Sequence, residues 1–470
     1  MTPCKRLFCT AKEPARGRQP CVSRPVTFCI LPFVFLLSVT NPSLAASVGW
    51  AATYGGSKSD YASAIQQTDD GGYIVAGGTE SFGAGKEDFL ILKLTPDGAV
   101  EWQKTYGGAD EDRAYFIQQT GDEGYIVVGK TESFGAGDED VWVLKLRPDG
   151  SVEWQKTYGG TNRDTAFSIQ QTSDRGYIVA GGAAFSSEGR NDAWVLKLRY
   201  DGTVEWQKTC GGTGSDDVIS IQQTDDGYIV AGLTKSFGDE KNAALVLKLG
   251  TDGTMEWQKA YGGISKNVAL SIRQTRDGGF VAAGMTTSLG AGLMAAWVLK
   301  LGPDGTTEWQ KAYGGAGTDT AVSIRQTSDD EYIVVGVTTS SGAGNEDVWV
   351  LKLRTDGTVE SQKTYGGINR DIAASIQQAA DGGYIAAGQT KSFGAGDKDI
   401  WVLKLRPDGS IDPSCEFIRD TSASVGLGLA TFKSPGVNVR DSGATPQDSS
   451  AVVKDTNVSA NILCASTVIK

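Results

Sequence analysis

The apolar residues of this chain come in short runs that are separated by turns. Within residues 109–158, runs rich in β-branched and aromatic residues occupy 112–120, 125–129, 141–146 and 152–157. Glycine, proline and aspartate fill the connections between these runs, as in the tight turns of antiparallel sheets. Helix is excluded, because no segment keeps a 3.6-residue period for ten residues without a glycine. The pattern predicts a four-stranded antiparallel meander.

The same pattern recurs with a period of 52 residues. The positions that mark it are Trp50, Trp102, Trp154, Trp206, Trp257 and Trp309, with Ser361 in the seventh place. One step is 51 residues long, because the turn at 225–227 lacks a glycine. Such a period indicates units that stack or close into a ring, since none buries its apolar face alone. We therefore predict an all-β fold, a seven-bladed β-propeller of four-stranded antiparallel blades over residues 47–412. The alternative is an open solenoid, whose repeats are usually shorter and whose ends need distinct caps.

The two ends of the repeat array are complementary. Residues 48–54 match the fourth strand of a unit and have no first three strands before them, while the last unit reaches Asp412. We expect the N-terminal strand to complete blade seven and close the ring, which leaves no unpaired edge. Residues 413–470 depart from the period and are rich in Ser, Thr, Asp, Val and Ala. We expect them to form a small C-terminal appendage, partly flexible, or a tail.

Residues 1–46 have a different character. Six basic residues precede an apolar run at 26–39, and small residues follow at 43–45. This order is typical of a secretory signal peptide. The run is short for a membrane span and contains Pro32, so an uncleaved anchor is the alternative. We expect no membrane span in the mature chain and a secreted or cell-surface location.

Charge and cysteines limit the partners. Without the leader the chain carries 38 basic and 55 acidic residues, a net charge of −17. Such a surface repels phosphate backbones and anionic lipids, so we expect no nucleic acid partner. Cys415 and Cys464 bracket the C-terminal segment and can pair in an oxidising exterior, with two free thiols as the alternative. Cys210 takes a tyrosine position of the repeat and is expected to be buried. We expect a monomer.

Three recurring motifs carry a resemblance. They are Tyr-Gly-Gly, as at 54–56, Asp-Gly-Gly-Tyr-Ile, as at 70–74, and Asp-Val-Trp-Val-Leu-Lys-Leu, as at 140–146. Over residues 50–412 the chain resembles a family of secreted bacterial and archaeal seven-bladed β-propeller repeat proteins, and more distantly the kelch and galactose-oxidase-like propellers. The resemblance implies secretion and a propeller more than a reaction. The spacing from Gly150 to Trp154 is also similar to the tryptophan-docking motif of quinone-dependent dehydrogenases, which implies that this tryptophan ties neighbouring blades together.

Candidate chemistry rests on carboxylates, because the chain contains no histidine. This absence removes Ser-His-Asp and Cys-His catalysis and the usual zinc and copper sites. Aspartates begin strands one and three of most units, which should place a ring of acids on one face. The candidate metal ligands among them are Asp60, Asp112, Asp140 and Asp164. We favour turn capping for these residues, and calcium binding or acid–base work on a sugar is the alternative. No other cofactor is expected.

Blades four and five lose these acids. Asn267 replaces the first aspartate of blade five, and alanines replace the second in both blades. A less acidic sector with apolar side chains is where a partner docks at the lowest desolvation cost. The predicted sector comprises Lys241, Asn242, Lys266, Asn267, Leu293 and Met294, and neutral drift of surface loops is the alternative.

The predicted function is an exported, non-enzymatic binding or scaffold propeller that contacts protein or carbohydrate at one face. The alternative is a carboxylate-based glycosidase or lyase acting on polysaccharide. An enzyme of that kind should show a unique polar cluster in the central channel of one or two blades, and the sequence reveals none.

Overall fold

The computed structural model describes residues 48–184, 191–237, 242–263, 265–290, 292–412, 415 and 417–421, together with short strands of the C-terminal segment. The predicted signal peptide lies outside the described residues. No helix that is long and apolar enough to cross a bilayer occurs in the part of the chain that the structure describes.

The described residues form a ring of seven blades, each an antiparallel sheet whose first strand lies nearest the axis. After β1 (Trp50–Gly55), blade one comprises β2 (Asp60–Gln67), β3 (Tyr73–Thr79), β4 (Asp88–Leu94) and β5 (Val100–Gly107), and blade two β6 (Asp112–Gln119), β7 (Tyr125–Thr131), β8 (Asp140–Leu146) and β9 (Val152–Gly159). Blade three comprises β10 (Asp164–Gln171), β11 (Tyr177–Ala183), β12 (Asp192–Leu198) and β13 (Val204–Gly211), and blade four β14 (Asp216–Thr224), β15 (Gly227–Thr234), β16 (Ala243–Gly250) and β17 (Met255–Gly262). Blade five comprises β18 (Asn267–Gln274), β19 (Phe280–Thr286), β20 (Ala295–Leu301) and β21 (Thr307–Gly314), and blade six β22 (Asp319–Gln326), β23 (Tyr332–Thr338), β24 (Asp347–Leu353) and β25 (Val359–Tyr365). Blade seven comprises β26 (Asp371–Gln378), β27 (Tyr384–Thr390), β28 (Asp399–Leu405) and β1.

The predicted fold and its closure are confirmed. Strand β1 pairs antiparallel with β28, with Trp50 opposite Lys404 and Tyr54 opposite Ile400. The N-terminal strand therefore completes the last blade and closes the ring. The second and third strands are buried on both faces, because each sheet is covered by the sheets of two neighbouring blades.

Tyrosine and tryptophan of the fourth strand hold each blade to the next one. The hydroxyl of Tyr54 donates to the carbonyl of Gly98 at 2.7 Å, and the ring of Trp50 lies so close that a Cβ at Gly98 would approach it to 3.0 Å. Gly98 has a φ of +87°, which only glycine adopts without strain, so the turn and the contact depend on the same residue. This clamp recurs around the ring, with Cys210 in place of the tyrosine and Ser361 in place of the tryptophan as departures. It is the packing role that the tryptophan-docking resemblance implies.

The C-terminal segment adds a fifth, outer strand to every blade, which differs from the expected appendage or tail. Its strands are β29 (Ile418–Asp420), β30 (Ser424–Leu427), β31 (Thr431–Lys433), β32 (Asn438–Asp441), β33 (Thr445–Asp448), β34 (Val452–Asp455) and β35 (Ser459–Ala465). They pair in turn with blades six, five, four, three, two, one and seven. The segment thus encircles the ring once, and we call β29–β35 the belt.

The belt repeats its register from blade to blade. In blade six Ile418 lies opposite Tyr365 and Asp420 opposite Lys363, and the Lys363 ammonium forms an ion pair with Asp420 at 2.5 Å. From Ser424 onward the belt strands begin every seven residues, so one belt unit spans the distance from blade to blade. Cys415 and Cys464, which stand at the two ends of the belt, form a disulfide. The belt thereby pairs backbone groups of every fourth strand, as at Lys208–Gly211 and Lys363–Tyr365, and shortens the exposed edge that each four-stranded blade would present.

Candidate functional site

The aspartates that begin the innermost strands are buried and hold the loops of their own blades. Asp60 accepts a hydrogen bond from Thr79 Oγ1 on one carboxylate oxygen and from Ser81 Oγ, at 2.7 Å, on the other. The remaining candidate metal ligands, which are also buried, are Asp112, Asp140 and Asp164. Among the described residues no group of three or more side chains is suited to hold a metal ion. The geometry of these aspartates is that of loop closure.

The six residues of the predicted sector fall into different environments. Lys241 lies outside the described residues. Lys266 is exposed, and Leu293 is exposed to 79%. Asn242 and Met294 are half-buried, and the Met294 sulfur accepts a hydrogen bond from a neighbouring threonine at 3.6 Å. Among the described members of the sector, Lys266 and Leu293 are therefore the exposed ones, and a partner site there stays a prediction.

Asn267 corrects the prediction for one member of that sector. It is fully buried and takes over the capping role of the aspartate that it replaces. Its Oδ1 accepts from Thr286 Oγ1 at 2.6 Å, and its Nδ2 donates to Ser288 Oγ at 3.2 Å. The serine hydroxyl accepts here where it donates to aspartate in other blades, so an amide fits the site. Loss of charge at this position therefore exposes no surface for binding.

A cavity of about 520 Å³ lies on the axis and is lined by the innermost strands of all seven blades. Residues of the loops that enter strands one and three, including Ser59, Glu80 and Glu87, also line it. We call this cavity the funnel. Each innermost strand has a β-bulge after its third residue, as between Ala62 and Ala64. Bulges change the direction of neighbouring side chains, and several residues of each strand consequently line the funnel.

The funnel wall differs between its two sides. Blades one to three contribute aromatic rings, and those of Tyr115 and Phe167 are tilted against each other with centroids 5.2 Å apart. The other blades place aliphatic residues at the position of Tyr115, and these are Ile219, Leu270, Val322 and Ala374. Serine hydroxyls occupy the following position in blades three to seven, and these are Ser168, Ser220, Ser271, Ser323 and Ser375.

A charged network borders the aromatic side. The Tyr61 hydroxyl donates to Glu87, and the Arg113 guanidinium binds the second oxygen of Glu87 at 3.0 Å. Burial raises the pKa of Glu87, and the hydrogen bonds from Tyr61 and Arg113 oppose this effect. Burial and the negative charge of Glu87 raise the pKa of Tyr61 as well, so the phenol stays protonated at neutral pH. These groups line the funnel and are fixed by one another.

The same network extends to the neighbouring blade through Lys130, which is buried. Its ammonium lies 2.7 Å from Glu139 and 3.0 Å from Glu111, and Arg163 also contacts Glu139. Burial alone would lower the pKa of Lys130, but its hydrogen bonds with Glu139 and Glu111 raise it. This charged network lies in blades one to three, only its members Tyr61, Glu87 and Arg113 line the funnel, and the sequence did not reveal it.

Two arginines break the symmetry on the opposite side of the channel. Arg273 and Arg325 occupy the seventh position of their innermost strands, and both line the funnel and a second cavity of about 180 Å³. At this position the other blades carry Gln66, Gln118, Gln170, Gln222 and Gln377. Sequence reasoning missed both clusters, because it compared loop residues and not the channel-lining positions of each repeat. A comparison of the second, fourth and seventh residues of every innermost strand is the signal that finds them.

The fold and the channel define this chain as a seven-bladed β-propeller repeat protein, as the resemblance suggested. The family model described as "domain of unknown function (DUF5122) beta-propeller" matches residues 69–101 and 379–414. The regulatory protein FlaEY of Caulobacter vibrioides is 25% identical over 215 residues, which are 41% of this chain and 22% of that protein. The chain thus spans about a fifth of the length of this curated relative.

Solved structures show similar chains at low identity. Sqt1 from Chaetomium thermophilum is 12% identical, with a TM-score of 0.43 over 82% of this chain and 91% of that one. A chain of Drosophila Plexin A in complex with Semaphorin 1b is 8% identical, with a TM-score of 0.41 over 77% of this chain and 88% of that one.

Proposed function

We propose that this protein is an exported binding protein whose ligand, the end of an oligosaccharide, enters the funnel. A β-propeller supports a binding or scaffold role in general. The observation that carries this proposal is that the repeat is kept at packing positions and broken inside the funnel. The fourth residue of the innermost strand lines the funnel in all seven blades and differs in each of them, in the order Ser63, Tyr115, Phe167, Ile219, Leu270, Val322 and Ala374.

Packing alone does not account for this variation. Every blade packs against its neighbours in the same way, and the clamp and the buried aspartates accordingly recur around the ring. Residues at the axis, in contrast, contact whatever occupies the channel. The funnel volume is within the range of small-ligand sites, which are concave, largely apolar and supplied with a few fixed polar groups. An aromatic wall beside a braced Arg113 and Tyr61 suits a ligand with flat apolar faces and hydroxyl groups.

Export is supported by two features. The leader has the basic, apolar and small-residue order of a signal peptide. The disulfide between Cys415 and Cys464 belongs to an oxidising compartment, since thiols stay reduced in the cytosol. The partner is then met outside the cytoplasm, as expected for a glycan or a protein of the cell surface.

The test is a screen of the mature chain against a glycan array, with a peptide library in parallel. The variant Tyr115→Leu plus Phe167→Leu carries the residue that blade five has at this position, so it should fold. We expect it to bind the selected glycan at least about tenfold more weakly, because two ring contacts are lost. Tyr200→Ala removes an aromatic residue that is 72% exposed in a turn and serves as the control. Unchanged glycan affinity of the leucine variant, or selection of peptides only, would contradict the proposal.

The enzymatic alternative is favoured by one observation, the charged network of blades one to three. A glycosidase or lyase needs a carboxylate that is free to transfer a proton. Glu87 and Glu139 are each held by two partners, an arrangement that suits a brace better than a general acid. A panel of glycoside and polysaccharide substrates decides between the two functions. Turnover that is abolished by Glu87→Gln, with folding intact, would replace the binding proposal with an enzymatic one.

A further inference from the structure

We propose that Arg273 and Arg325 form an anion subsite at the base of the funnel, and that the ligand carries an oxyanion there. The inference rests on the proposed function, which supplies the saccharide part of the ligand. It narrows that ligand to an acidic saccharide. A carboxylate or a sulfate group supplies the same chemistry to a guanidinium. The experiment below separates these two sources.

The first argument is what the arginines replace. In four blades the glutamine at this position accepts a hydrogen bond from the innermost strand of the next blade. Examples are Gln66 Oε1, which accepts from the N–H of Gln119 at 2.7 Å, and Gln222 Oε1, which accepts from Gln274 at 2.7 Å. Arginine has no acceptor atom. Blades five and six therefore lack this link to the next strand, which the glutamine provides in blades one to four.

The second argument is the missing counter-charge. Arg273 donates to the carbonyl of Ile272 at 2.6 Å and to Ser220 Oγ at 3.2 Å, and Arg325 donates to the carbonyl of Ile324 at 2.9 Å. Among the described residues neither guanidinium has a carboxylate partner. Each has five N–H donors, so most of its donors remain available to a ligand.

The third argument is electrostatic. Burial lowers the pKa of Arg325 to about 10, and burial together with the charge of Arg325 lowers the pKa of Arg273. A guanidinium nevertheless stays protonated at neutral pH. Two like charges thus share an enclosed channel in a protein whose mature chain has a net charge of −17. Both side chains are half-buried, and partly desolvated charges without a counter-charge are costly, so a bound anion lowers that cost.

The fourth argument is ligand geometry. The planar forks of guanidinium groups match oxyanions through paired hydrogen bonds. The hydroxyls of Ser220, Ser271 and Ser323 line the same cavity and can also donate to an anion. Because the arginines and the aromatic wall line the same funnel, a ligand whose anionic group is held by the arginines has the rest of its body in the cavity that the aromatic rings border.

The test uses the mature chain and simple probes in calorimetry at constant ionic strength with chloride as the background anion. The probes are D-glucuronate, its uncharged counterpart D-glucose, and inorganic sulfate. The variant Arg273→Gln plus Arg325→Gln restores the glutamine of the other blades, and each single variant is measured beside it. Arg147→Gln plus Arg354→Gln removes the same charge from exposed turns and is the matched control.

We expect wild type and the control to bind glucuronate or sulfate saturably and to prefer glucuronate over glucose. The double variant should lose at least about tenfold in anion affinity, because charge-assisted hydrogen bonds are removed. It should also melt at a higher temperature in chloride, since glutamine accepts the backbone N–H and the like charges are gone. Preference for glucuronate assigns a carboxylate, and binding of sulfate alone assigns a sulfate ester.

Equal binding of glucuronate and glucose together with no sulfate binding would overturn the inference, and so would anion affinity that survives in both single variants and the double variant. The leucine variant of the aromatic wall should keep sulfate binding. If the array selects neutral glycans whose binding survives the arginine changes, the proposed function stands and the anion subsite falls. If sulfate binds through the arginines while no glycan binds, the anion subsite stands and the proposed function falls.

Discussion

The belt predicts that one disulfide stabilises the periphery of the whole ring. Each belt strand has only three to seven residues, and an isolated strand of that length does not hold its place without the sheet beside it. Cys415 is buried against the core of blades six and seven. Cys464 belongs to β35 and lies opposite Ala51 of β1. The disulfide therefore fixes both ends of a segment that is otherwise held by short edge pairings.

The expected magnitude follows from loop closure. The two cysteines are 49 positions apart, and the chain-entropy relation for a loop of about 50 residues gives about 4 kcal/mol at 25 °C. Guanidinium m-values grow with size and are on the order of 10 kcal/mol/M for a ring of this length. The double variant Cys415→Ser plus Cys464→Ser should therefore lower the midpoint of guanidinium unfolding by about 0.4 M. Tryptophan fluorescence monitors the unfolding.

Hydrogen exchange locates the effect. In the serine variant the amides of β29–β35 should exchange faster, while those of the innermost strands β2, β6 and β10 keep their protection. Cys210→Ala, which leaves the disulfide intact, is the control for cysteine removal and should keep belt protection. An unchanged midpoint, or exchange that accelerates equally in inner strands and belt, would refute the idea that the disulfide acts by closing the belt.

Three further predictions concern single positions. Cys210→Tyr should restore the missing hydrogen bond to Gly253 and stabilise the protein by about 1 kcal/mol in chemical denaturation, and a loss of stability would show that blade three has repacked around the thiol. Ser361→Trp should cover the turn glycine Gly409 and raise the melting temperature by burying apolar area worth about 1–2 kcal/mol, whereas no change would mean that the clamp is not limiting there. Burial, with the nearby charge of Asp140, raises the pKa of Asp164 from 3.8 to about 6, so the folded state binds more protons than the unfolded chain between these values and its stability falls as pH rises through that window. The free energy of unfolding of Asp164→Asn, measured in urea, should accordingly rise relative to that of wild type by up to about 3 kcal/mol between pH 4 and pH 7. A difference that is constant with pH would contradict this cause.

The fold could be predicted from the sequence because local signals agree with the tertiary arrangement. The 52-residue period, the Asp-Gly turns and the double-sided apolar runs each require four short strands between two neighbouring sheets. The strand at 48–54 has no other strands of its own unit, and the last unit lacks its fourth strand. Pairing of the two closes the ring and satisfies both. Turn capping by the aspartates could be predicted for the same reason, since each carboxylate accepts hydrogen bonds from N–H groups that lie a few residues away in sequence.

Only the tertiary structure decided the belt and the site. Belt strands pair with blades that are far away in sequence, and runs of three or four residues have too few side chains to show a strand pattern. Their seven-residue spacing acquires meaning only beside a ring of seven outer edges. In the same way, Arg113 of blade two forms an ion pair with Glu87 of blade one. Arg273 of blade five and Arg325 of blade six line the same channel. Within a single repeat each of these residues is one substitution among several at a variable position. Their charges act together only because the closed ring brings the seven innermost strands to one axis.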